Sequence, residues 1–362
     1  MSSIRKDNFW RWSRAPFRGH RQRRWATALV GLAILIGALP AAAAIVQAER
    51  DALIAIYTSA GGDAWTQNSQ WCSGPCPASG VPTFNVAGSE CGWYGIGCDA
   101  AQMHVVAIDL SNNHLSGSLP ALAAFVSLQS FDVDFNALSG TLPALAGLNA
   151  LQTVQVRDNQ FSGAIPSLAG LTTLQKFWAN SNQLTGPVPP LAGLVALANI
   201  NVGDNQLSGT IPPLTGLTAL KFFIVARNRL TGSLPMLAGL TALIDFDAPF
   251  NQLSENIPPL MGLPALTFFL VYDNHLSGSI PSLAGLTSLR EFYVSNNQLT
   301  GTVPAPPGNL EVGNSALCPN PLDAVPSSND AGWDAATGYT PWWAVPHASN
   351  RCDGIFTDGF DG

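Results

Sequence analysis

Few residues in this chain could do chemistry, and the foremost are three carboxylates, those of Asp109, Asp132 and Asp134. Carboxylates that a fold brings together can exchange protons with a substrate or bind a cation. No motif supports either role, because the chain has no nucleophile elbow, H-E-x-x-H, P-loop or dinucleotide fingerprint. We therefore interpret these carboxylates as part of a solvated face, and we predict no catalytic residue, no metal site and no cofactor.

Six cysteines are the second reactive group, and all of them lie in the two flanks of the chain. Cysteines in this number form disulfides in an oxidising compartment or hold a metal such as zinc. Zinc is the alternative for the first four, but C-x3-C and C-x6-C spacings with tryptophan between them suit it poorly. Because each neighbouring pair lies within one flank, we expect the disulfides Cys72 with Cys76, Cys91 with Cys98, and Cys318 with Cys352.

An asparagine recurs every 23 residues through the middle of the chain. Around each one the sequence reads L-x-x-L-x-L-x-x-N-x-L-x-G-x-[ILV]-P, with apolar substitutes at the leucine positions. A fixed period of this length predicts a solenoid of stacked repeats with one continuous core. The nine asparagines are Asn113, Asn136, Asn159, Asn182, Asn205, Asn228, Asn251, Asn274 and Asn297.

Each repeat should contribute one short strand to a parallel sheet. Alternation predicts, for example, that Val154 and Val156 point inward while the residues between and beside them face solvent. The asparagine would end the strand, satisfy backbone groups at the turn and bridge to the next coil. A proline in every coil argues against an ordinary helix on the convex side. In one repeat Glu255 replaces the glycine, which predicts a local change of curvature there rather than a catalytic glutamate.

The extension L-x-G-x-[ILV]-P resembles the plant-type subclass of leucine-rich repeats, known from receptor ectodomains and secreted inhibitors of cell-wall-degrading enzymes. The resemblance covers residues 105 to about 317, and the segment 91–98, Cys-Gly-Trp-Tyr-Gly-Ile-Gly-Cys, is similar to the N-terminal cap of that subclass. It implies an α/β-class solenoid with little helix, a curved right-handed superhelix, a parallel concave β-sheet and disulfide caps. It also implies recognition of a partner outside the cell.

The N-terminal segment has the features of a secretory signal peptide. Eight of the 16 lysines and arginines lie in the first 24 residues, and an apolar run from Trp25 to Leu39 and a run of alanines follow. We predict a signal peptide over 1–44, with an uncleaved membrane anchor as the alternative. The remainder divides into an N-terminal cysteine-containing cap (45–104), nine leucine-rich repeats (105–311), and a C-terminal cap with an acidic aromatic tail (312–362).

Without residues 1–44 the chain carries eight basic and 22 acidic residues, a net charge of about −14. Such a surface repels phosphate backbones and anionic lipid headgroups, so we exclude nucleic acid and the membrane surface as partners. The chain has no N-x-[ST] glycosylation acceptor, which favours a bacterial source.

Counting from each asparagine assigns every outward residue of the concave face. Early coils present the three carboxylates, whereas later coils present apolar and aromatic side chains. A contiguous apolar patch marks a partner site, although rings that stack on one another could instead stiffen neighbouring coils. The predicted ligand-binding residues are Trp178, Phe222, Ile224, Phe250, Phe268, Leu270, Tyr272 and Tyr293.

We expect a monomeric, non-catalytic recognition module, secreted or at the cell surface, that binds a protein or peptide through its concave face. The alternative is a carbohydrate-binding or adhesion protein, in which Trp178, Tyr272 and Tyr293 are stacking platforms beside Asp and Asn acceptors. A hydrolase is the third hypothesis, and no motif supports it.

Overall fold

The computed structural model describes residues 44–76, 82–323 and 327–343. The predicted signal peptide, apart from its last residue, and most of the acidic aromatic tail lie outside the described residues. Within these ranges, no helix is long and apolar enough to cross a membrane.

Two helices and twenty strands form the described part of the chain. Helix α1 spans Gln47–Ser59, helix α2 spans Asp330–Thr337, and two 3-10 turns span Gly62–Ala64 and Glu90–Gly92. The strands are β1 (Ile96–Cys98), β2 (Val105–Asp109), β3 (Ser116–Ser118), β4 (Ser130–Asp132), β5 (Ala137–Thr141), β6 (Thr153–Gln155), β7 (Gln160–Ala164), β8 (Lys176–Trp178), β9 (Gln183–Gly186), β10 (Asn199–Asn201), β11 (Gln206–Thr210), β12 (Phe222–Ile224), β13 (Arg229–Ser233), β14 (Asp245–Asp247), β15 (Gln252–Ser254), β16 (Phe268–Leu270), β17 (Ser277–Gly278), β18 (Glu291–Tyr293), β19 (Gln298–Leu299) and β20 (Ser315–Ala316).

The principal sheet, which we call the concave sheet, confirms the predicted register. In the described residues it has eleven strands in the order β1-β2-β4-β6-β8-β10-β12-β14-β16-β18-β20, parallel except for the β1–β2 pair. Residues 23 apart lie side by side, so Val154 is level with Phe177. The middle residue of each strand points into the core, and its two neighbours face outward.

A second parallel sheet, which the sequence analysis did not predict, follows the asparagines. Seven strands, β3 to β15 in odd numbers, form it within the described chain. Its glycines have positive φ, and a Cβ on Gly163 would lie 3.0 Å from Cγ2 of Thr141 on the preceding coil. The sheet ends at Ser254, immediately before Glu255, which takes a φ of 67°. Glu255 therefore interrupts this sheet, while the change of curvature stays a prediction.

The asparagine side chains link the coils, as predicted. The amide of Asn228 donates to the carbonyls of Val225 and Ala226 in its own coil and to that of Val202 in the preceding coil. Its Oδ1 accepts from the backbone N–H of Leu207 at 2.9 Å. Because this side chain is only 9% exposed, the four bonds satisfy buried backbone groups that the turns leave unpaired.

The stack extends one coil beyond the predicted limit at residue 311. Asn320 lies 23 residues after Asn297, and its Oδ1 accepts from Leu299 N–H at 2.9 Å. Trp333, within the predicted C-terminal cap and tail (312–362), is buried in α2 against Phe292, with ring centroids 6.0 Å apart. Helix α2 thus covers the C-terminal end of a core that contains the stacked rings Phe223, Phe246, Phe269 and Phe292.

The N-terminal cap is an aromatic cluster closed by two disulfides. Tyr57, Trp65, Trp71 and Trp93 are buried there. Its cysteines pair as expected, Cys72 with Cys76 and Cys91 with Cys98, so these four do not bind zinc. The third pairing stays a prediction, because Cys352 lies outside the described residues.

Candidate functional site

Most of the predicted binding residues lie together on the outer side of the last coils of the concave sheet. Strand register places Phe222 level with Asp245 and Phe268, and Ile224 level with Asp247, Leu270 and Tyr293. The apolar members are half-buried. We call the outward residues of β12, β14, β16 and β18, with Phe250 and Tyr272, the late zone.

Two rings continue the late zone past the strand ends. Phe250 lies in the turn before Asn251 with a φ of 53°. Its ring meets Tyr272 edge to face at 5.2 Å, and the rings of Tyr272 and Tyr293 lie 6.1 Å apart. Burial, with the nearby Asp247 carboxylate, raises the pKa of Tyr272 above its usual value. The phenol is therefore neutral at physiological pH.

Trp178 does not join this group. It lies on β8, and Asn201 of β10 separates it from Ile224 along the sheet. Its ring contacts two cations, with Lys176 Nζ at 4.3 Å and Arg157 Cζ at 4.7 Å from the ring centre. Trp178 therefore belongs to a separate charged surface, which we call the early zone: the outward residues of β2, β4, β6 and β8 with Asp134 and Arg157.

The expectation of solvated carboxylates in the early zone is wrong for Asp134, which is only 3% exposed. Asp134 accepts hydrogen bonds from the backbone N–H and the Nε–H of Arg157, at 2.8 and 2.7 Å. Burial and the charge of Asp132 raise its pKa to about 7, while Arg157 lowers it. Asp109 is exposed, as expected. The fold can bury the Asp134 carboxylate because the guanidinium of Arg157, from the next coil, pairs with it.

Hydrogen bonds and nearby cations also partly stabilise the charge of the Asp132 carboxylate. Its carboxylate accepts from the Gln155 amide and from the backbone N–H of Asp134. Burial raises its pKa to about 6, and Arg157 and Lys176 act in the opposite direction. The early zone is therefore a network in which each half-buried or buried acid has a donor or a cation close by.

Two further carboxylates, Asp245 and Asp247, lie on the outward side of β14 at the centre of the late zone. Asp245 stands between Phe222 and Phe268 on the neighbouring strands. It is only 9% exposed. In the described part of the protein, the Oδ1 atoms of Asp245 and Asp247 are both buried and have no hydrogen-bond partner. These oxygens are acceptors that the fold itself does not use.

The electrostatic surroundings of this pair are acidic. Burial raises the pKa of Asp245 well above its usual value, and Asp247 and Glu291 raise it further. Burial and Asp204 raise the pKa of Asp247 to about 7, and Arg227 opposes them. None of the ion pairs among the described residues includes Asp245 or Asp247.

The nearest cation to the pair is already engaged. Arg227 Nε lies 3.7 Å from Asp204 Oδ1, and the guanidinium lies 4.2 Å from the centre of the Phe250 ring. Neither here nor elsewhere in the described ranges is a group of three or more His, Cys, Asp and Glu side chains placed to hold a metal ion. The arrangement therefore offers two carboxylates between apolar walls.

Sequence reasoning placed Asp245 and Asp247 outward but did not select them. The signal was available, because a D-x-D pair on one strand has phenylalanine, isoleucine and leucine 23 residues away on both sides. Those neighbours exclude water, and exclusion of water makes the carboxylates unusual.

Comparison with known proteins agrees with this architecture. The family model described as Leucine Rich Repeat matches residues 288–310. The fold is a leucine-rich repeat solenoid. The plant peptide hormone receptor RGFR1, solved in complex with RGF2, is 31% identical over 59% of this chain and 36% of its own, with a TM-score of 0.57. None of the curated proteins compared with the chain matches it.

Two other solved structures extend the comparison. One is the leucine-rich repeat ectodomain of the plant membrane receptor kinase GASSHO1/SCHENGEN3 from Arabidopsis thaliana, in complex with CASPARIAN STRIP INTEGRITY FACTOR 2. It is 27% identical over 76% of this chain and 36% of its own, with a TM-score of 0.58. A plant ice-binding protein matches over 78% of this chain and 99% of its own, with a TM-score of 0.52, and at 24% identity it shows the fold alone.

The repeats are thus similar to those of these plant receptors. The chain spans 36% of the RGFR1 chain and 36% of the GASSHO1/SCHENGEN3 chain, so it corresponds in length to a part of these receptor chains. Nothing in these comparisons supports the expected bacterial source, which stays a prediction.

Proposed function

We propose that the protein is a non-catalytic recognition module, secreted or at the cell surface, that binds a protein or peptide as a monomer through the late zone of its concave face. The observation that carries this proposal is the group of half-buried apolar and aromatic side chains on the outer side of β12, β16 and β18, which flank the two aspartates of β14. The solenoid does not need them there, since equivalent positions on β6 and β10 are polar.

The chemistry of the late zone suits a peptide. Phenylalanine and tyrosine offer large contact areas and lose little conformational entropy when a partner covers them. The receptors RGFR1 and GASSHO1/SCHENGEN3 were solved in complexes with RGF2 and CASPARIAN STRIP INTEGRITY FACTOR 2, and this likeness supports a peptide or protein partner. The acidic surface of the chain also favours a ligand with basic groups.

The alternative of carbohydrate binding loses one of its three platforms. Two cationic groups already contact the Trp178 ring, and Trp178 lies apart from Tyr272 and Tyr293. The late zone keeps only two tyrosines, whose rings are tilted against each other by 59°. This geometry favours a ligand that fills an apolar groove over one that stacks on several parallel rings.

A selection from a displayed library of random linear peptides tests the proposal. The full chain is compared with the Phe222→Ala/Phe268→Ala/Tyr272→Ala variant, and we expect peptides selected on the wild type to lose at least about tenfold in affinity for the variant. If the rings serve only to stiffen neighbouring coils, the variant will melt at a lower temperature but bind the same peptides equally well.

A panel of hydrolase substrates addresses the enzymatic hypothesis directly. We expect the purified chain to leave all of them intact. Turnover that Asp132→Asn or Asp247→Asn abolishes would overturn the non-catalytic proposal.

A further inference from the structure

The centre of the late zone holds two carboxyl groups that form no ion pair with any cation in the described part of the chain. Asp245 and Asp247 are two residues apart on β14 and therefore share the outward side of the sheet. Asp245 is more than nine-tenths buried, has an unpartnered Oδ1, and lies in register between Phe222 and Phe268 on the outward side of the sheet. Asp247 has a second unpartnered oxygen between Ile224 and Leu270.

The scaffold does not require carboxylates at these positions. The equivalent residues on other coils include Thr153 and Asn199 in register with Asp245, and Gln155 and Asn201 in register with Asp247. A buried carboxylate without a partner costs stability, because the interior solvates the charge poorly. Such groups on a concave surface are candidates for a binding role.

The charges around the pair define what it can bind. Glu291 lies in register with Asp245 two strands away on β18, and Asp204 acts on Asp247 from the turn after β10, so both add negative potential. Arg227 is the one cation whose charge reaches the pair in the described residues, and it contacts Asp204 and the Phe250 ring instead. The site therefore attracts a positive group.

The walls of the site distinguish an organic cation from a metal ion. Calcium takes six to eight oxygen ligands and magnesium keeps several waters, whereas this site offers two carboxylates flanked by Phe222, Ile224, Phe268 and Leu270. Lysine and arginine place a methylene stem along apolar surface and carry the charge at its end. Their shape and charge match walls that are apolar and a floor that is acidic.

We propose that Asp245 and Asp247 form the subsite for a lysine or arginine side chain of a peptide ligand, whose adjacent apolar side chains lie on the Phe222–Ile224 and Phe268–Leu270 rows. The inference rests on the proposed peptide-binding function and names the residue type that the late zone selects. The basic group donates charge-assisted hydrogen bonds to the two unused oxygens, and an arginine can do so through two parallel N–H groups.

The test selects peptides on the wild-type chain at pH 8 and compares their affinity for the wild type with their affinity for two variants. Asp245→Asn/Asp247→Asn removes the charge and keeps the shape. Asp132→Asn is the matched control, because Asp132 occupies the same repeat position as Asp247 five coils earlier. We expect the selected peptides to carry lysine or arginine at one fixed position, and to bind the double variant at least about tenfold more weakly but the control unchanged.

A double-mutant cycle then assigns the contact. Norleucine in place of lysine, or citrulline in place of arginine, should weaken binding to the wild type by about the same factor and leave binding to the double variant nearly unchanged. The ligand arm of the cycle uses the wild-type chain alone, so it remains decisive even if the double variant does not fold.

Four outcomes would overturn the inference. Peptides that need Phe268 and Tyr272 but carry no basic residue would contradict the subsite and leave the proposed function standing. Failure to select any peptide would contradict both proposals. Peptides that bind the Phe222→Ala/Phe268→Ala/Tyr272→Ala variant as tightly as the wild type would also contradict both. Calorimetric binding of calcium or magnesium alone, lost in Asp245→Asn/Asp247→Asn, would assign the pair to a metal ion instead.

Discussion

The early and late zones of the concave face both bury aspartates, but only the early zone supplies their partners. Asp134 and Asp245 are 3% and 9% exposed. Asp134 accepts two hydrogen bonds from Arg157, whereas Asp245 has an oxygen without any partner in the described chain. The two zones stand on the same backbone with the same register, so the difference lies in the side chains alone.

The early-zone charges stabilise the solenoid, whereas the late-zone side chains form a surface that a partner can bind. In the early zone Arg157 and Lys176 contact the Trp178 ring, and Arg157 also closes on Asp134. The charges there hold adjacent coils together. In the late zone the apolar side chains desolvate Asp245 and Asp247 without neutralising them. A surface with unsatisfied acids and half-exposed rings is suited to a partner that brings both a cation and apolar groups.

The largest effect should come from removal of the early-zone cation. We expect Arg157→Ala to lower the free energy of unfolding by about 3 kcal/mol at pH 8, because it leaves the buried Asp134 carboxylate unpaired. Urea denaturation measures this change. Arg227→Ala is the control, since its pair with Asp204 is longer and more exposed, and it should cost less than about 1 kcal/mol. Equal losses in the two variants would remove the distinction between the zones.

Two phenylalanine rings in equivalent turns give a matched pair for binding. Phe135 and Phe250 occupy the same repeat position. The guanidinium carbon of Arg157 lies 4.7 Å from the centre of the Phe135 ring, and that of Arg227 lies 4.2 Å from the centre of the Phe250 ring. We expect Phe250→Ala to weaken peptide binding by about tenfold, because its ring continues the late zone through Tyr272. Phe135→Ala should have no effect. Titration calorimetry with a selected peptide measures both, and a loss in the Phe135 variant would contradict the assignment of the site.

Only part of the difference between the two zones could be predicted from the sequence. The 23-residue period determines which residues are level, so the concave register and the asparagine bonds could be predicted. The two N-terminal disulfides could be predicted because each joins neighbouring cysteines of one flank. The second sheet could not, because residues such as Ser162 and Gly163 have weak strand preferences and pair only once the coils stack. Register also placed Asp134 and Asp245 outward, but burial and partners depend on how side chains from adjacent coils lie.

Binding should depend on pH in the late zone. The pKa of Asp247 is about 7 and that of Asp245 is also raised, so at pH 5.5 Asp247 is largely neutral and the pair attracts a basic side chain less strongly. We expect a selected basic peptide to bind at least about tenfold more tightly at pH 8 than at pH 5.5. Asp204, Glu291 and Arg227 also act on the pair, so Asp245→Asn/Asp247→Asn is the necessary comparison, and it should flatten the profile. A steep profile in that variant would point to other groups.

The most direct test of the difference between the zones is the stability of the Asp245→Asn/Asp247→Asn variant without any ligand. A carboxyl whose pKa is raised in the folded state contributes stability below about pH 4, and this contribution is lost as the pH rises through 7. Asparagine is neutral at every pH and avoids that loss. We expect the variant to unfold with a free energy about 1 to 3 kcal/mol higher than that of the wild type at pH 8, and equal to it at pH 4. A variant less stable than the wild type at pH 8 would mean that the fold already neutralises these charges, which would contradict the account.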